Sequence, residues 1–151
     1  MSNLSTTLWS HIRTVQDFPK PGICFFDLTP LFMSNLEPLT DALIASIPAE
    51  KLAEVDSFVA VEARGFVLAS LLAQRLGKGL LLVRKAGKLP PPVVGVGYSL
   101  EYGLDRLEMA ANIASQKVII VDDVLATGGT LKAVKQLVKK CHHEVLGASI
   151  F

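Results

Sequence analysis

Cysteine is scarce. Cys24 and Cys141 are far apart and belong to no C-x-x-C pair, which excludes a disulfide framework and a zinc ribbon and leaves both as small apolar residues of a reducing compartment. An excess of one charge is also missing, since 15 Lys and Arg against 14 Asp and Glu leave a net +1. That balance lacks the broad basic field of a nonspecific nucleic-acid binder, so any anion site must be local. No apolar run approaches the roughly 18 residues of a membrane span, and the first ten residues lack the order of a signal peptide. The expectation is a cytoplasmic protein with no membrane and no nucleic-acid partner. What the chain does have is hydrophobicity, 50% of residues with only 19% charged, enough for one globular domain over residues 1–151 with a sizeable core.

The chain is organised around Lys117–Lys132, K-V-I-I-V-D-D-V-L-A-T-G-G-T-L-K. The β-branched run Val118–Val121 predicts a parallel strand buried on both faces. Asp122 and Asp123 follow at its carboxyl end. The small-residue loop Ala126-Thr127-Gly128-Gly129-Thr130 then opens an amphipathic helix over Leu131–Val138. A strand, loop and helix start of this kind binds phosphate, because glycine lets backbone N–H groups turn inward and the helix amino end adds about half a positive charge. Thr127 and Thr130 add hydroxyl donors. The loop contains no Lys, so the Walker pattern fails, as does G-x-G-x-x-G. Paired acids beside a phosphate cradle would repel it unless they face a ribose diol and a hydrated Mg²⁺, so the stretch calls for a sugar 5-phosphate.

V-I-I-V-D-D-V-L-A-T-G-G-T resembles the phosphoribosyl-pyrophosphate signature of type I phosphoribosyltransferases, in the form found in adenine phosphoribosyltransferases. The resemblance covers nearly the whole chain. It implies an α/β, three-layer phosphoribosyltransferase-type fold with a mostly parallel central sheet, a small hood and a flexible lid hairpin. The implied reaction takes adenine and phosphoribosyl pyrophosphate to AMP and pyrophosphate, with Mg²⁺ as cofactor and a homodimer as the assembly. Asp122 and Asp123 would hold the ribose and metal-bound water, with no direct protein ligand to the metal, while Leu125 and residues 126–130 contact substrate.

Elsewhere, Leu4, Leu8, Ile12 and Val15 stand at helical spacing and predict an amino-terminal helix closed near Pro19 and Pro21. Phe18–Phe32 reads as a loop with a short strand at Ile23–Phe26. It resembles part of the purine hood, which with the first helix takes up about residues 1–33. Cys24 and Phe26 match positions whose backbone contacts adenine, although family members often carry a basic residue at the second. Ser57–Val61 is a second buried strand, and Glu62-Ala63-Arg64-Gly65-Phe66 turns it into a helix carrying Val67, Leu71, Leu72 and Leu76. Ligands of parallel α/β sheets bind outside the strands' carboxyl ends, which puts Arg64 and Asp122 on one rim. The E-x-R-G-F resemblance assigns Arg64 to pyrophosphate.

Leu80–Val83 is a third strand, followed by Arg84, Lys85 and Lys88, three cations that the match to R-K-x-G-K-L-P makes a second diphosphate clamp. Val94–Ala110 alternates about Gly103 as a hairpin. In its L-E-Y-G, Glu101 stands where the family has a proposed acid at purine N7, with Tyr102 beside it as a substrate contact. His142 and His143 lack further metal ligands nearby in sequence. The resemblance stops in a last strand, Glu144–Phe151, and the family's following segment, with an aliphatic residue that packs on adenine, is expected to be missing. Two alternatives stand: a phosphoribosyltransferase for xanthine or hypoxanthine, and a non-catalytic regulator that senses phosphoribosyl pyrophosphate, for which an added DNA-binding module has no room.

Overall fold

The computed structural model describes residues 3–100, 103–124 and 128–151. Two compact units divide the chain, Met1–Ser46 and Ile47–Phe151.

In the first unit, helix α1 (Asn3–Trp9) leads to an antiparallel pair, β1 (Arg13–Gln16) and β2 (Cys24–Asp27), and then to α2 (Thr29–Ser34) and α3 (Leu36–Ala45). α1 and α2 pack on α3, and Leu8, Leu31, Leu39 and Leu43 are buried. The helix expected to run through Val15 stops at Trp9. Thr14 and Val15 are β-branched, and pairing with Phe26 and Phe25 decides their state against the helical spacing. An ion pair between Arg13 Nη2 and Asp27 Oδ2 at 2.8 Å sits at the end of that register.

The second unit opens with α4 (Ala49–Glu54) and continues as β3 (Ser57–Val61), α5 (Arg64–Leu76), β4 (Gly79–Lys85), β5 (Val93–Leu100), β6 (Gly103–Ala110), β7 (Lys117–Asp122), α6 (Gly129–Lys140) and β8 (Glu144–Ile150). Six strands form one sheet in the order β5-β6-β4-β3-β7-β8. The pairs β4·β3, β3·β7 and β7·β8 are parallel, while β6 lies antiparallel to β4 and β5. This is the mostly parallel sheet that the apolar runs predicted. β3 is buried at every position because both faces are covered. Val59, Val61, Val118 and Ile120 pack with Ala133, Val134, Leu137 and Val138 of α6. The alternate residues Phe58, Ala60, Ile119 and Val121 point to the opposite face and are also buried, and α5 packs along β3, β4 and β7. Helix, sheet and helix make three layers.

α5 buries Gly65, Leu68, Ala69, Leu72 and Ala73, whereas Val67 is 37% exposed. Small residues at helical spacing let the helix lie close to the sheet, and this rotates the buried stripe away from Val67 and Leu71. The base of the β5–β6 hairpin belongs to the main sheet, with Val96, Leu107 and Met109 in the core, and its tip at Glu101 and Tyr102 lies outside the described residues. The pairing of β6 with β4, Arg84 with Glu108 and Lys85 with Leu107, ties that base to the sheet.

Candidate active site

Three parallel strands end side by side, because β3 lies between β4 and β7. Glu62 and Arg64 follow the first, Arg84 and Lys85 are the last residues of the second, and Asp122 and Asp123 close the third. Gly65 makes this junction tight. A Cβ there would lie 2.9 Å from the Val121 carbonyl oxygen and 3.5 Å from Asp122 Oδ1, so α5 can start against the end of β7 only if that position has no side chain.

Arg64 and Asp123 meet across the rim, with Nε 2.5 Å from Oδ2 and Asp123 only 11% exposed. The contact is ionic but not aligned as a hydrogen bond, so Oδ2 remains a buried acceptor. Asp122 Oδ1 accepts the Asp123 N–H at 2.8 Å. Burial pushes the Asp122 carboxyl up to about 7, and the adjacent Asp123 carboxylate adds to the rise, while the Asp123 N–H and Arg64 oppose it. The two acids therefore differ: one is paired with a cation, and the other is held near its protonation midpoint at neutral pH.

Glu62 gathers the basic segment. Its Oε1 accepts from Lys88 Nζ at 2.5 Å and lies 3.5 Å from Arg84 Nη2, and its Oε2 accepts the Lys85 N–H at 2.9 Å. Burial alone would raise this carboxyl, but the hydrogen bonds from Lys88 and Lys85, the Lys88 charge and Arg84 bring it down to about 2. Arg84 also sits 5.6 Å above the Phe66 ring. The buried Glu108 accepts the Gly87 N–H at 2.7 Å. Lys85 Nζ lies 3.4 Å from Asp105 Oδ2. Sequence reasoning passed over Glu62, Asp105 and Glu108. Glu62 had a signal in E-A-R-G-F, where it was read only as part of a turn.

Gly128 has φ +84° and caps α6, whose first turn holds Gly129 and Thr130. Leu125, Ala126 and Thr127 of the same loop, and Glu101 and Tyr102 of the hairpin, lie outside the described residues. Cys24 and Phe26 belong to the first unit, on β2, and both are exposed. Phe26 meets Trp9 edge-to-face at 6.0 Å, and Phe18 meets Phe25 at 5.1 Å. His143 is buried, and its Nδ1 accepts the Gln116 N–H at 3.0 Å. Among the described residues no group of three or more His, Cys, Asp or Glu side chains could hold a metal ion.

A parallel sheet whose carboxyl rim brings together acids, cations and a glycine-led helix start is the architecture of an α/β enzyme for phosphorylated substrates. Residues 34–151 match the phosphoribosyl transferase domain. The chain belongs to the phosphoribosyltransferase family and, within it, to the adenine phosphoribosyltransferases. It is 47% identical over 154 residues to the adenine phosphoribosyltransferase of Mycolicibacterium smegmatis, a match covering 99% of this chain and 83% of that one. The crystal structure of adenine phosphoribosyltransferase from Rhodothermus marinus is similar at a TM-score of 0.88 and 40% identity, over 98% of this chain and 85% of that one. The Saccharomyces cerevisiae enzyme, complexed with adenine and an iminoaltritol bisphosphate, is similar at 0.92 and 35% identity, over 99% and 88%.

Proposed function

We propose that this protein transfers the ribose 5-phosphate of phosphoribosyl pyrophosphate to adenine N9, giving AMP and pyrophosphate in purine salvage. The observation that carries the reading is the rim itself, where Arg64 pairs with Asp123 beside Asp122 at the end of β7, the strand that leads into the Gly128–Thr130 helix start. Cleavage of the anomeric C–O bond leaves positive charge on the ribose and negative charge on the departing pyrophosphate. Arg64, Lys85 and Lys88 stabilise that anion, the two carboxylates hold the ribose hydroxyls, and the helix start anchors the 5′-phosphate, so remote binding energy positions the anomeric carbon. Asp122 and Asp123 would hold the waters of a substrate-borne Mg²⁺, which when bound would supply positive charge to offset the departing pyrophosphate.

Turnover of a purine panel with phosphoribosyl pyrophosphate tests the reading: adenine should be the preferred acceptor. A preference for hypoxanthine or xanthine supports the 6-oxopurine alternative, and binding without turnover supports the regulator. Among the described residues no helix is long and apolar enough to cross a membrane. The same reading takes the protein as a cytoplasmic homodimer, which light scattering in solution checks.

Two variants separate the roles. Asp123→Asn keeps shape but leaves the Arg64 guanidinium without its counter-charge, and should lower kcat/KM by about 2 kcal/mol or more, the size of a charged hydrogen bond. A near-normal rate would reduce the acids to ornaments of a turn. Glu101→Gln should lower kcat with adenine and leave the affinity for phosphoribosyl pyrophosphate nearly intact, as expected of a proton donor to the base; equal losses in both would remove that role.

A further inference from the structure

Glu62 has no part in the proposed reaction, yet it holds donors that the reaction needs. Its side chain is 11% exposed, and it faces Lys88 Nζ, Arg84 Nη2 and the Lys85 N–H. Arg84 and Lys88 are cations that a diphosphate would use, and a carboxylate binds them for the same reason, as an anion with oxygen acceptors. It carries less charge than pyrophosphate and sits on the same chain. The two cations are held differently. Arg84 is 31% exposed and lies over the Phe66 ring, whereas Lys88 is 46% exposed at the end of a flexible stem. The backbone between them is pinned separately, by Glu62 at the Lys85 N–H and by Glu108 at the Gly87 N–H. The Lys88 side chain can therefore swing from one anion to another while its backbone stays in place.

We propose that Glu62 is an internal competitor of pyrophosphate: it holds Lys88 in the free enzyme, yields it when the diphosphate binds, and takes it back as the product leaves. The inference rests on the transferase reading above and names a residue that tunes diphosphate affinity within it. Glu62→Gln keeps an oxygen acceptor for the Lys85 N–H and removes the charge, so it isolates competition from positioning. Calorimetric titration with magnesium pyrophosphate should show the Gln variant binding roughly fivefold tighter than wild type, the scale of one partly exposed ion pair no longer broken on binding. The product-inhibition constant of pyrophosphate should fall in parallel. Loosened structure cannot tighten a ligand, so a gain in affinity separates this role from a merely structural one. In a Lys88→Met background the gain should vanish.

Unchanged or weaker pyrophosphate binding in Glu62→Gln overturns the inference and leaves the transferase reading standing, as does a gain that persists without Lys88. Should the wild-type protein bind neither magnesium pyrophosphate nor magnesium phosphoribosyl pyrophosphate, the transferase reading falls and the inference falls with it.

Discussion

Gly128→Val is expected to abolish binding of magnesium phosphoribosyl pyrophosphate, with at least a hundredfold loss of affinity, about 2.7 kcal/mol. Gly128 stands at φ +84° as the cap of α6, where a β-branched residue is strained by about 1–3 kcal/mol. Any relaxation of that strain turns the first N–H groups of the helix away from the phosphate they would hold, and the Val side chain fills the space of approach. Gly77→Val is the matched control. Gly77 is also left-handed, at φ +63°, and an added Cβ there meets nothing within 4 Å. It caps the far end of α5, away from the rim. Both variants should lose similar stability in denaturant titrations, and only the first should lose ligand. Equal binding losses would assign the effect to folding and remove the loop from the site. Gly79→Ala is no control: its Cβ would collide with the Ser57 hydroxyl, which donates to Gln116.

The part of this site that could be read in the sequence is the part encoded locally. Val118–Val121 announced β7 because four β-branched or aliphatic residues in a row suit a strand covered on both faces, and all four are buried. The acids at its end and the glycines that start α6 follow within a few residues, so their proximity needed no tertiary information. What could not be read depends on strand order. Arg64 meets Asp123 only because β3 and β7 are neighbours, and Glu62 meets Lys88 only because β4 flanks β3 on the other side. The sequence separately marked Arg64, Lys85 and Lys88 as cations for phosphate. That Arg64, Lys85 and Lys88 each stand against a carboxylate, Asp123, Asp105 and Glu62 in turn, appears only once the sheet is assembled. Val15 failed for the same reason in reverse: its helical spacing is real, and pairing with Phe25 overrides it.

Asp122→Asn should stabilise the protein at alkaline pH while impairing the reaction. Burial and the neighbouring Asp123 carboxylate lift the Asp122 carboxyl from its ordinary 3.8 to about 7. A group whose folded-state pKa is raised contributes its full stability below the unfolded value and loses it as pH climbs through the folded one. For Asp122 that window runs from about pH 4 to about pH 7, and above it an ionised, half-buried carboxylate opposes folding. The gap between the two values sets a ceiling of ~4 kcal/mol. Solvent screening of this partly exposed group brings the expected penalty to about half of that. Asparagine cannot ionise, yet its Oδ1 still accepts the Asp123 N–H that Asp122 takes at 2.8 Å, so the variant keeps the turn and sheds the charge. Thermal unfolding at about pH 3.5, below the unfolded value, should give nearly equal midpoints. At pH 8.5 the variant should melt higher by about 4–8 °C, as about 2 kcal/mol implies for a chain of this length. Titrations of Glu62 and His143 act on both proteins alike and cancel in the difference. On the proposed reaction the same substitution would remove an acceptor for the ribose hydroxyls, so kcat/KM should fall even as stability rises, the trade expected where a charge is held for chemistry against the fold's preference. A midpoint difference that is the same at about pH 3.5 and about pH 8.5 would show that the Asp122 carboxyl is not raised by the fold.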